Sequence, residues 1–368
     1  MRKSLLCALL IAALCLGCAC ALAAGETVCT LTPFADIDFA AQGFMDIVTA
    51  WEEETGNMVE DYSGLIDEGW LERMQELLAA GKADLLIVPV GSGLTKEQAV
   101  TAQELAGAAP QLGARSFPSM AEAEGSVLLT PVRLNWEALY VNTDVLAAAG
   151  VAVPATFDEL LIACATLSQK GVTPIANALC EWAEIALDCA ALIGAPQENY
   201  GGEESLSGAK NVLSALAAVG AFGADPWNAQ DAQMESAFVG GEAAMRFDSD
   251  ALAQMIPESR AQDVTVVSLA GSDGQPRTAL VGTPSFGLTL SRACWEDEGR
   301  REAALSLAER LLTGENAPQL VSGAPGQLAR NIAALTASAT DCAGLLYDYN
   351  ADTFDTWAEA TVASLMSE

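Results

Sequence analysis

The amino-acid sequence predicts an α/β protein with two domains. The chain has 368 residues, and one domain usually takes roughly 100 to 200 residues. Short apolar runs typical of strands alternate with longer segments in which apolar residues recur at helical spacing. This alternation favours parallel sheets with helices on both faces.

The first ninety residues show a βαβαβ pattern. Gly81 is a C-terminal helix stop, and the continuous apolar run before Pro89 is typical of a buried parallel strand. The predicted strands are 28–33, 58–62 and 84–89, and the predicted helices are 39–54 and 70–80. Ligands of such sheets bind at the carboxyl ends of strands, so the loops at 32–35, 90–93 and 135–138 are the first candidates for a site.

The rest of the chain continues the alternation. Thr156 and Glu159 have the spacing of a capping box, which predicts a helix start at Phe157. The segment 271–276 is a cluster of turn residues. The predicted strands are 139–142, 173–177, 263–270 and 286–290, and the predicted helices are 157–169, 182–193, 205–219, 231–239 and 300–312.

The first 24 residues are predicted to be an export signal. Two basic residues precede an apolar run at 5–16, which ends among small residues. The triplet 21–23 offers a small-x-small cleavage site, while Cys18 closes a segment that resembles a bacterial lipoprotein box. Lipid attachment at Cys18 and simple secretion both stay open. Either route places the mature protein outside the cytoplasm, at the cell surface or in a secreted or periplasmic form.

Charge and composition exclude several functional classes. Asp and Glu number 49 against 17 Lys and Arg, a net charge of −32, which repels nucleic acid and anionic lipid and favours a soluble monomer. The chain has no histidine, and none of the cysteines after the signal region form a CxxC pair. We therefore expect no zinc or other metal site and no cofactor. The wide cysteine spacing favours buried thiols over a disulfide framework.

Four phrases of the sequence carry a family resemblance. They are LYVNTDVL at 139–146 followed by Gly150, PATFDEL at 154–160, GVTPI at 171–175 and AFVGGEAAM at 237–245. In this order and spacing they resemble the family of extracellular solute-binding proteins that includes maltose-binding protein and other sugar receptors of bacterial importers.

The resemblance implies a type II periplasmic-binding-protein-like fold, in which two lobes, each a sheet flanked by helices, are joined by a hinge. Lobe 1 would comprise 26–132 and 283–312, and lobe 2 would comprise 133–282 and 313–368. The implied function is capture of a sugar or oligosaccharide between the lobes by hinge closure, without catalysis. The implied partners are the solute and the permease subunits of an ABC importer.

The resemblance also implies ligand-binding residues. Asn135 and Trp136 align with a loop that lines the cleft in the family, although Trp136 has ordinary hinge packing as an alternative role. Glu181 and Trp182, at the start of a predicted helix, resemble an acidic and aromatic pair that contacts ligand in sugar receptors. Core packing is the alternative role for Trp182.

Further candidates lie in other loops. Phe34 and Ser92 follow predicted strands, and Ser285 lies where the chain returns to lobe 1. Many relatives have a tryptophan that stacks on the sugar where this chain has Asp250, two residues after Asp248. These two carboxylates would bind sugar hydroxyls or a cationic ligand, and Asp248 has capping of the following helix as its alternative role.

Three other functions stay open from the sequence. The acidic residues permit the same fold to bind a cationic or other polar solute such as a polyamine. An exported carbohydrate-active enzyme that uses paired carboxylates is a second alternative, although the chain lacks a nucleophile elbow and a metal motif. A binding-protein fold reused for signalling, with a degenerate cleft, is the third.

Overall fold

The structure, a computed structural model, describes residues 25–34, 38–64, 66–112, 128–179, 189–191, 193–194, 203–223, 226, 229–275, 279–338 and 341–343. The strands are β1 Thr27–Leu31, β2 Met58–Asp61, β3 Leu85–Pro89, β4 Thr130–Asn142, β5 Thr173–Ile175, β6 Ala243–Ser249, β7 Val264–Val267, β8 Ala279–Leu290 and β9 Asp341–Ala343. The helices are α1 Asp38–Thr55, α2 Trp70–Ala79, α3 Ala102–Ala108, α4 Thr143–Ala149, α5 Phe157–Gln169, α6 Glu203–Ala218, α7 Asp231–Gly240, α8 Asp250–Met255, α9 Arg292–Glu296, α10 Glu298–Thr313, α11 Ala317–Ser322 and α12 Gly326–Ser338.

The strands form one mixed sheet in the order β2-β1-β3-β8-β4-β6-β5, with β7 paired to β4 and β9 paired to β8. The predicted α/β class and the βαβαβ start are confirmed, since β1 pairs in parallel with both β2 and β3. The sheet is not purely parallel, because β8 runs antiparallel to β3 and to β4. The two long strands β4 and β8 therefore join the two ends of the sheet.

Two hydrophobic clusters lie at opposite ends of the sheet, and a third cluster, which includes Trp70 of α2, Val88 of β3 and Ile332 of α12, spans both ends. Phe44, Trp51 and Leu307 belong to a cluster beside β1 and β3, together with Leu320 of α11. A separate cluster holds the inner faces of α5 and α6 against β6. Helix α11 packs on α1, whereas α12, only a few residues further along the chain, packs on β7.

The helix predicted at 157–169 has those bounds in the structure. Thr156 is its N-cap, and its Oγ1 accepts a hydrogen bond from the Glu159 amide at 3.2 Å. The Glu159 carboxylate accepts from the amide of Ala155 at 2.8 Å, one residue before the position that a capping box predicts. The cap satisfies amides that the first turn leaves without helical partners.

Asn142 connects two of the four signature phrases. Its Nδ2 donates to the carbonyl oxygens of Phe238 at 2.9 Å and Ala243 at 2.8 Å, and its Oδ1 accepts from Arg260 Nη2 at 2.8 Å. Gly241, between those two carbonyls, has a φ of +80°, and a Cβ there would lie 2.3 Å from the Arg260 guanidinium. Both the buried asparagine and the glycine are thus required by local geometry.

Four cysteines in the described ranges have free thiols, and Cys164, Cys189 and Cys294 are buried while Cys29 is partly buried. The expectation that the cysteines are buried as small apolar residues is confirmed for Cys164, Cys189 and Cys294. Burial raises the pKa of the Cys164 thiol to about 12, which keeps it protonated and unreactive at neutral pH. Among the residues that the structure places, no helix has both the length and the hydrophobicity to cross a bilayer.

Candidate functional site

A chain of polar contacts crosses the sheet where β3, β8, β4 and β6 meet. The Val90 amide, just after β3, donates to the Ser285 carbonyl oxygen at 3.0 Å. Ser285 Oγ donates to the Arg133 carbonyl oxygen at 3.2 Å, and Arg133 Nη2 donates to Asp250 Oδ2 at 3.1 Å. These contacts bring the loop after β3 and the junction of β6 with α8 to the two long strands, at the carboxyl ends of β3 and β6, where ligands of α/β sheets bind.

Arg133 is a site residue that the sequence analysis missed. Its side chain is 4% exposed and forms an ion pair with Asp250, whose side chain is 13% exposed. Burial raises the pKa of the Asp250 carboxyl, while Arg133 and the backbone amide of Trp136 act in the opposite direction. A basic residue inside the otherwise apolar run before Asn135 is the signal that would have found it.

Asp248 has a buried arginine partner of its own. Arg246 Nε donates to Asp248, and Arg246 Nη2 donates to Asp231 at 2.8 Å. Burial raises the pKa of Asp248, and Arg246 opposes that rise. The N-cap of α8 is Ser249 rather than Asp248: the Ser249 Oγ accepts from Ala251, and Asp248 accepts from the Ser249 amide at 2.7 Å. Both carboxylates thus bind arginines within the protein.

Asn135 and Trp136 face different surroundings. Asn135 is exposed on β4, opposite Thr283 of β8. Trp136 is 3% exposed, and its ring stacks on Tyr140 with centroids 5.6 Å apart and an interplanar angle of 22°. Tyr140 is itself buried and donates its hydroxyl to the Ser249 carbonyl oxygen at 2.8 Å. Of these two candidates, only Asn135 presents a polar side chain to solvent.

The other described candidates likewise include residues near the polar contacts and one residue in a hydrophobic cluster. Ser92 lies in the loop after β3 and is buried, and its Oγ has no hydrogen-bond partner among the described residues. Ser285 is half-buried within the chain of polar contacts. Phe34 is 1% exposed and belongs to the hydrophobic cluster with Phe44 and Ile47, away from the polar contacts.

Several candidates lie outside the described residues. They are Glu181 and Trp182 of the predicted acidic and aromatic pair and Cys18 of the predicted lipoprotein box. The side chains of Thr283 and Pro284, beside Ser285, are also outside them. The structure thus places Asn135, Ser92, Ser285, Asp248 and Asp250 around the two long strands, and Trp136 and Phe34 in packed cores.

The family model for bacterial extracellular solute-binding proteins matches residues 40–309 of this chain. The chain belongs to this family. The resemblance inferred from the four phrases is thereby confirmed, and the family is one of exported binding proteins. No curated protein sequence shows a significant match.

Solved structures of such proteins share the fold. The bacterial solute receptor AcbH, described as having an exclusive preference for β-D-galactopyranose, is 13% identical, with a TM-score of 0.61 over 93% of this chain and 97% of that one. A probable secreted solute-binding lipoprotein from Streptomyces coelicolor is 16% identical, with a TM-score of 0.60 over 94% and 100%. The GacH receptor of Streptomyces glaucescens, solved also with acarbose, is 16% identical, with a TM-score of 0.54 over 94% of both chains. These likenesses confirm the predicted type II periplasmic-binding-protein-like fold.

Proposed function

We propose that this protein is the solute-binding component of an ABC importer and that it captures a neutral sugar or oligosaccharide between its two lobes. The observation that carries the proposal is that Asp248 and Asp250, the charged candidates among the described residues, pair with arginines inside the protein while Asn135 is exposed. Amide and hydroxyl groups that donate and accept hydrogen bonds suit the hydroxyls of a sugar. Family membership and the sugars named for AcbH and GacH support the same ligand class.

We propose that β4 and β8 form the hinge between the lobes. The packing of α11 on α1 supports placing α11 in lobe 1, and the packing of α12 on β7 supports placing α12 in lobe 2, although α11 and α12 also pack on each other. In this proposal the final crossing would lie at 323–325 instead of between 312 and 313. Rotation about these crossings would close Asn135, Ser92 and Ser285 around the solute.

The pairing of the carboxylates argues against a cationic solute. A polyamine would have to compete with Arg133 for Asp250 and with Arg246 for Asp248, and both arginine side chains are at most 4% exposed. Breaking such a buried pair costs about 3–5 kcal/mol, which a surface contact with a flexible ligand does not return. We therefore retain the neutral sugar as the proposed solute.

The remaining parts of the proposal concern delivery. We infer that the N-terminal segment directs export, followed by lipid attachment at Cys18 or by secretion, and that the monomeric, sugar-loaded form docks on the permease. No catalytic step is assigned, since the matched family consists of binding proteins. Product analysis after incubation with the bound sugar tests this directly, because a hydrolase would release shorter saccharides.

Titration calorimetry with neutral mono- and oligosaccharides, including β-D-galactopyranose, tests the function. We expect one saccharide to bind with one site per chain, and Asn135→Ala to weaken that binding at least tenfold without changing the melting temperature. The control is Gln233→Ala, which changes an exposed amide on α7 and should leave affinity intact. Binding of spermidine together with no response to any saccharide would refute the proposal.

A further inference from the structure

We propose that the protein has a second small-molecule site, which takes a zwitterionic amino acid with an apolar side chain. A cavity of about 460 Å³ lies between α2 and the ends of β1 and β2, and we call it the α2 pocket. Strand β2 ends the sheet, and β1 and β3 separate it from β8, so this pocket lies apart from the candidate solute site. Its lining includes Leu31, Tyr62, Trp70, Glu76, Leu77 and Lys82.

The floor of the α2 pocket is apolar. Leu31 and Trp70 are buried members of one hydrophobic cluster. Tyr62 and Leu77 pack against the same cluster but are only partly buried, so part of their apolar surface is open to the pocket. An apolar protein cavity of about 150 Å³ is large enough to bind benzene. The α2 pocket therefore has room for an aromatic side chain.

Lys82 supplies a positive charge at the rim of the pocket. Its Nζ lies over the Tyr62 ring, 5.3 Å from the centroid, and it makes no ion pair with any of the described residues. Tyr62 and then Glu60 raise the pKa of the Lys82 amino group, so the group is charged at neutral pH. An ammonium group without a carboxylate partner is a donor for the carboxylate of a ligand.

Glu76 supplies a negative charge at the same rim. Its carboxylate is exposed and makes no hydrogen bond or ion pair in the part of the chain that the structure describes. The other cation of the lining, Arg73, differs from Lys82 because it binds Asp67 at 2.8 Å. Lys82 and Glu76 thus remain as two opposite charges that do not pair with each other, and a ligand between them can contact both.

These two charges and the apolar floor determine the class of ligand. An α-amino acid has a carboxylate for Lys82, an ammonium group for Glu76 and, when its side chain is apolar, a group for the floor. A ligand with a net negative charge is repelled by a chain whose net charge is −32, whereas a zwitterion is not. A simple cation would leave Lys82 without a partner. An apolar amino acid satisfies all three parts of the pocket.

Saturation-transfer NMR with L-phenylalanine as the probe tests the site on the full protein without any sugar. We expect saturable binding with a Kd on the order of 1 mM, which is typical of a small ligand in an open pocket. Ala80 lines the pocket and is exposed, so Ala80→Trp should block it and weaken binding roughly tenfold or more. The control is Ala79→Trp, which changes the neighbouring exposed alanine outside the lining and should bind as the wild type does.

Two ligands that each lack one charge test the roles of the rim residues. Lys82→Gln should weaken the binding of L-phenylalanine and of 3-phenylpropionate about threefold, and leave phenethylamine unchanged. Glu76→Gln should weaken L-phenylalanine and phenethylamine about threefold, and leave 3-phenylpropionate unchanged. Glu72→Gln, an exposed carboxylate on α2 outside the lining, should change none of the three.

The inference is overturned if the wild type shows no saturable binding of L-phenylalanine, or if Ala80→Trp and both charge variants bind it undiminished. Binding that is lost in Asn135→Ala and kept in Ala80→Trp would place the amino acid between the lobes, and this result would also overturn it. The test is independent of the proposed function. If no saccharide binds, that function fails, but the L-phenylalanine titration still decides whether the α2 pocket is a site.

Discussion

Arg133 on β4 and Asp250 at the start of α8 form an ion pair at 3.1 Å across 117 residues of sequence. The pair fixes the first turn of α8, and with it the end of β6, to one of the two long strands. The family resemblance implies a stacking tryptophan in many relatives at the position of Asp250, so we expect this site to bind a sugar by hydrogen bonds more than by stacking.

The buried pair makes the two residues interdependent. Asp250→Leu leaves the Arg133 charge without a partner, Arg133→Met leaves the Asp250 charge without one, and each should reduce the free energy of unfolding by about 3–5 kcal/mol. The double variant Arg133→Met/Asp250→Leu removes both charges and should lie within about 1 kcal/mol of the wild type. Urea unfolding of the single and double variants measures the coupling. Additive losses would show that the two side chains do not interact.

Gly241 and its neighbour Gly240 provide a matched pair of substitutions. Alanine at 241 would adopt a φ of +80° and place Cβ 2.3 Å from the Arg260 guanidinium, which lies at the end of a flexible side chain and can shift. We expect a loss of about 1–2 kcal/mol from the left-handed backbone. At Gly240 a Cβ has open space, so alanine should be neutral or stabilising by up to about 1 kcal/mol. Thermal unfolding of both variants provides the test, and equal melting temperatures would contradict it.

The contact between Glu104 and Arg292 should make the folded protein less stable in acid. Arg292 donates two hydrogen bonds to the Glu104 carboxylate, at 2.7 and 2.8 Å, and these bonds lower the pKa of Glu104 from 4.5 to about 2. Because the folded-state pKa is depressed, the stabilisation is present above the unfolded pKa and is lost as the pH falls from about 4.5 to about 2.

The variant Glu104→Gln isolates this contribution. Between pH 6 and pH 3 the wild-type protein should lose more stability in urea unfolding than Glu104→Gln does, because glutamine has no carboxylate to protonate. Glu72→Gln, which changes an exposed carboxylate on α2, serves as the control. An identical loss for the wild type and Glu104→Gln would refute the predicted role of this pair.

Local sequence patterns predicted the helices and strands whose caps or apolar runs lie within their own residues. The helix at Phe157–Gln169 has its cap and its apolar face within the sequence itself, and β3 is a plain apolar run. The prediction for β4 covered only 139–142 of a strand that begins at Thr130, because Arg133, Asn135 and Glu137 interrupt the apolar pattern. Those polar residues lie beside the candidate site. Polar side chains there break the continuous apolar run that a buried strand usually shows.

Only some residues of the candidate site could be predicted from the sequence. The loops after strands identified Ser92, and the family resemblance identified Asp250, but side-chain direction depends on packing, and Phe34 lies in a core. The partner of each carboxylate could not be inferred, because Asp250 meets Arg133 far along the chain and Asp248 meets Arg246 only through the strand geometry of β6. Whether these carboxylates pair with arginines therefore depends on the folded structure, and the sequence alone does not determine it.

The central claim, that the lobes close around a neutral sugar, is tested most directly by small-angle X-ray scattering of the protein with and without the sugar found by calorimetry. We predict that the radius of gyration falls when the sugar saturates the wild-type protein, and that it stays unchanged with spermidine. Asn135→Ala should remain in the open form at the same sugar concentration. An unchanged radius of gyration at saturating sugar would contradict the account.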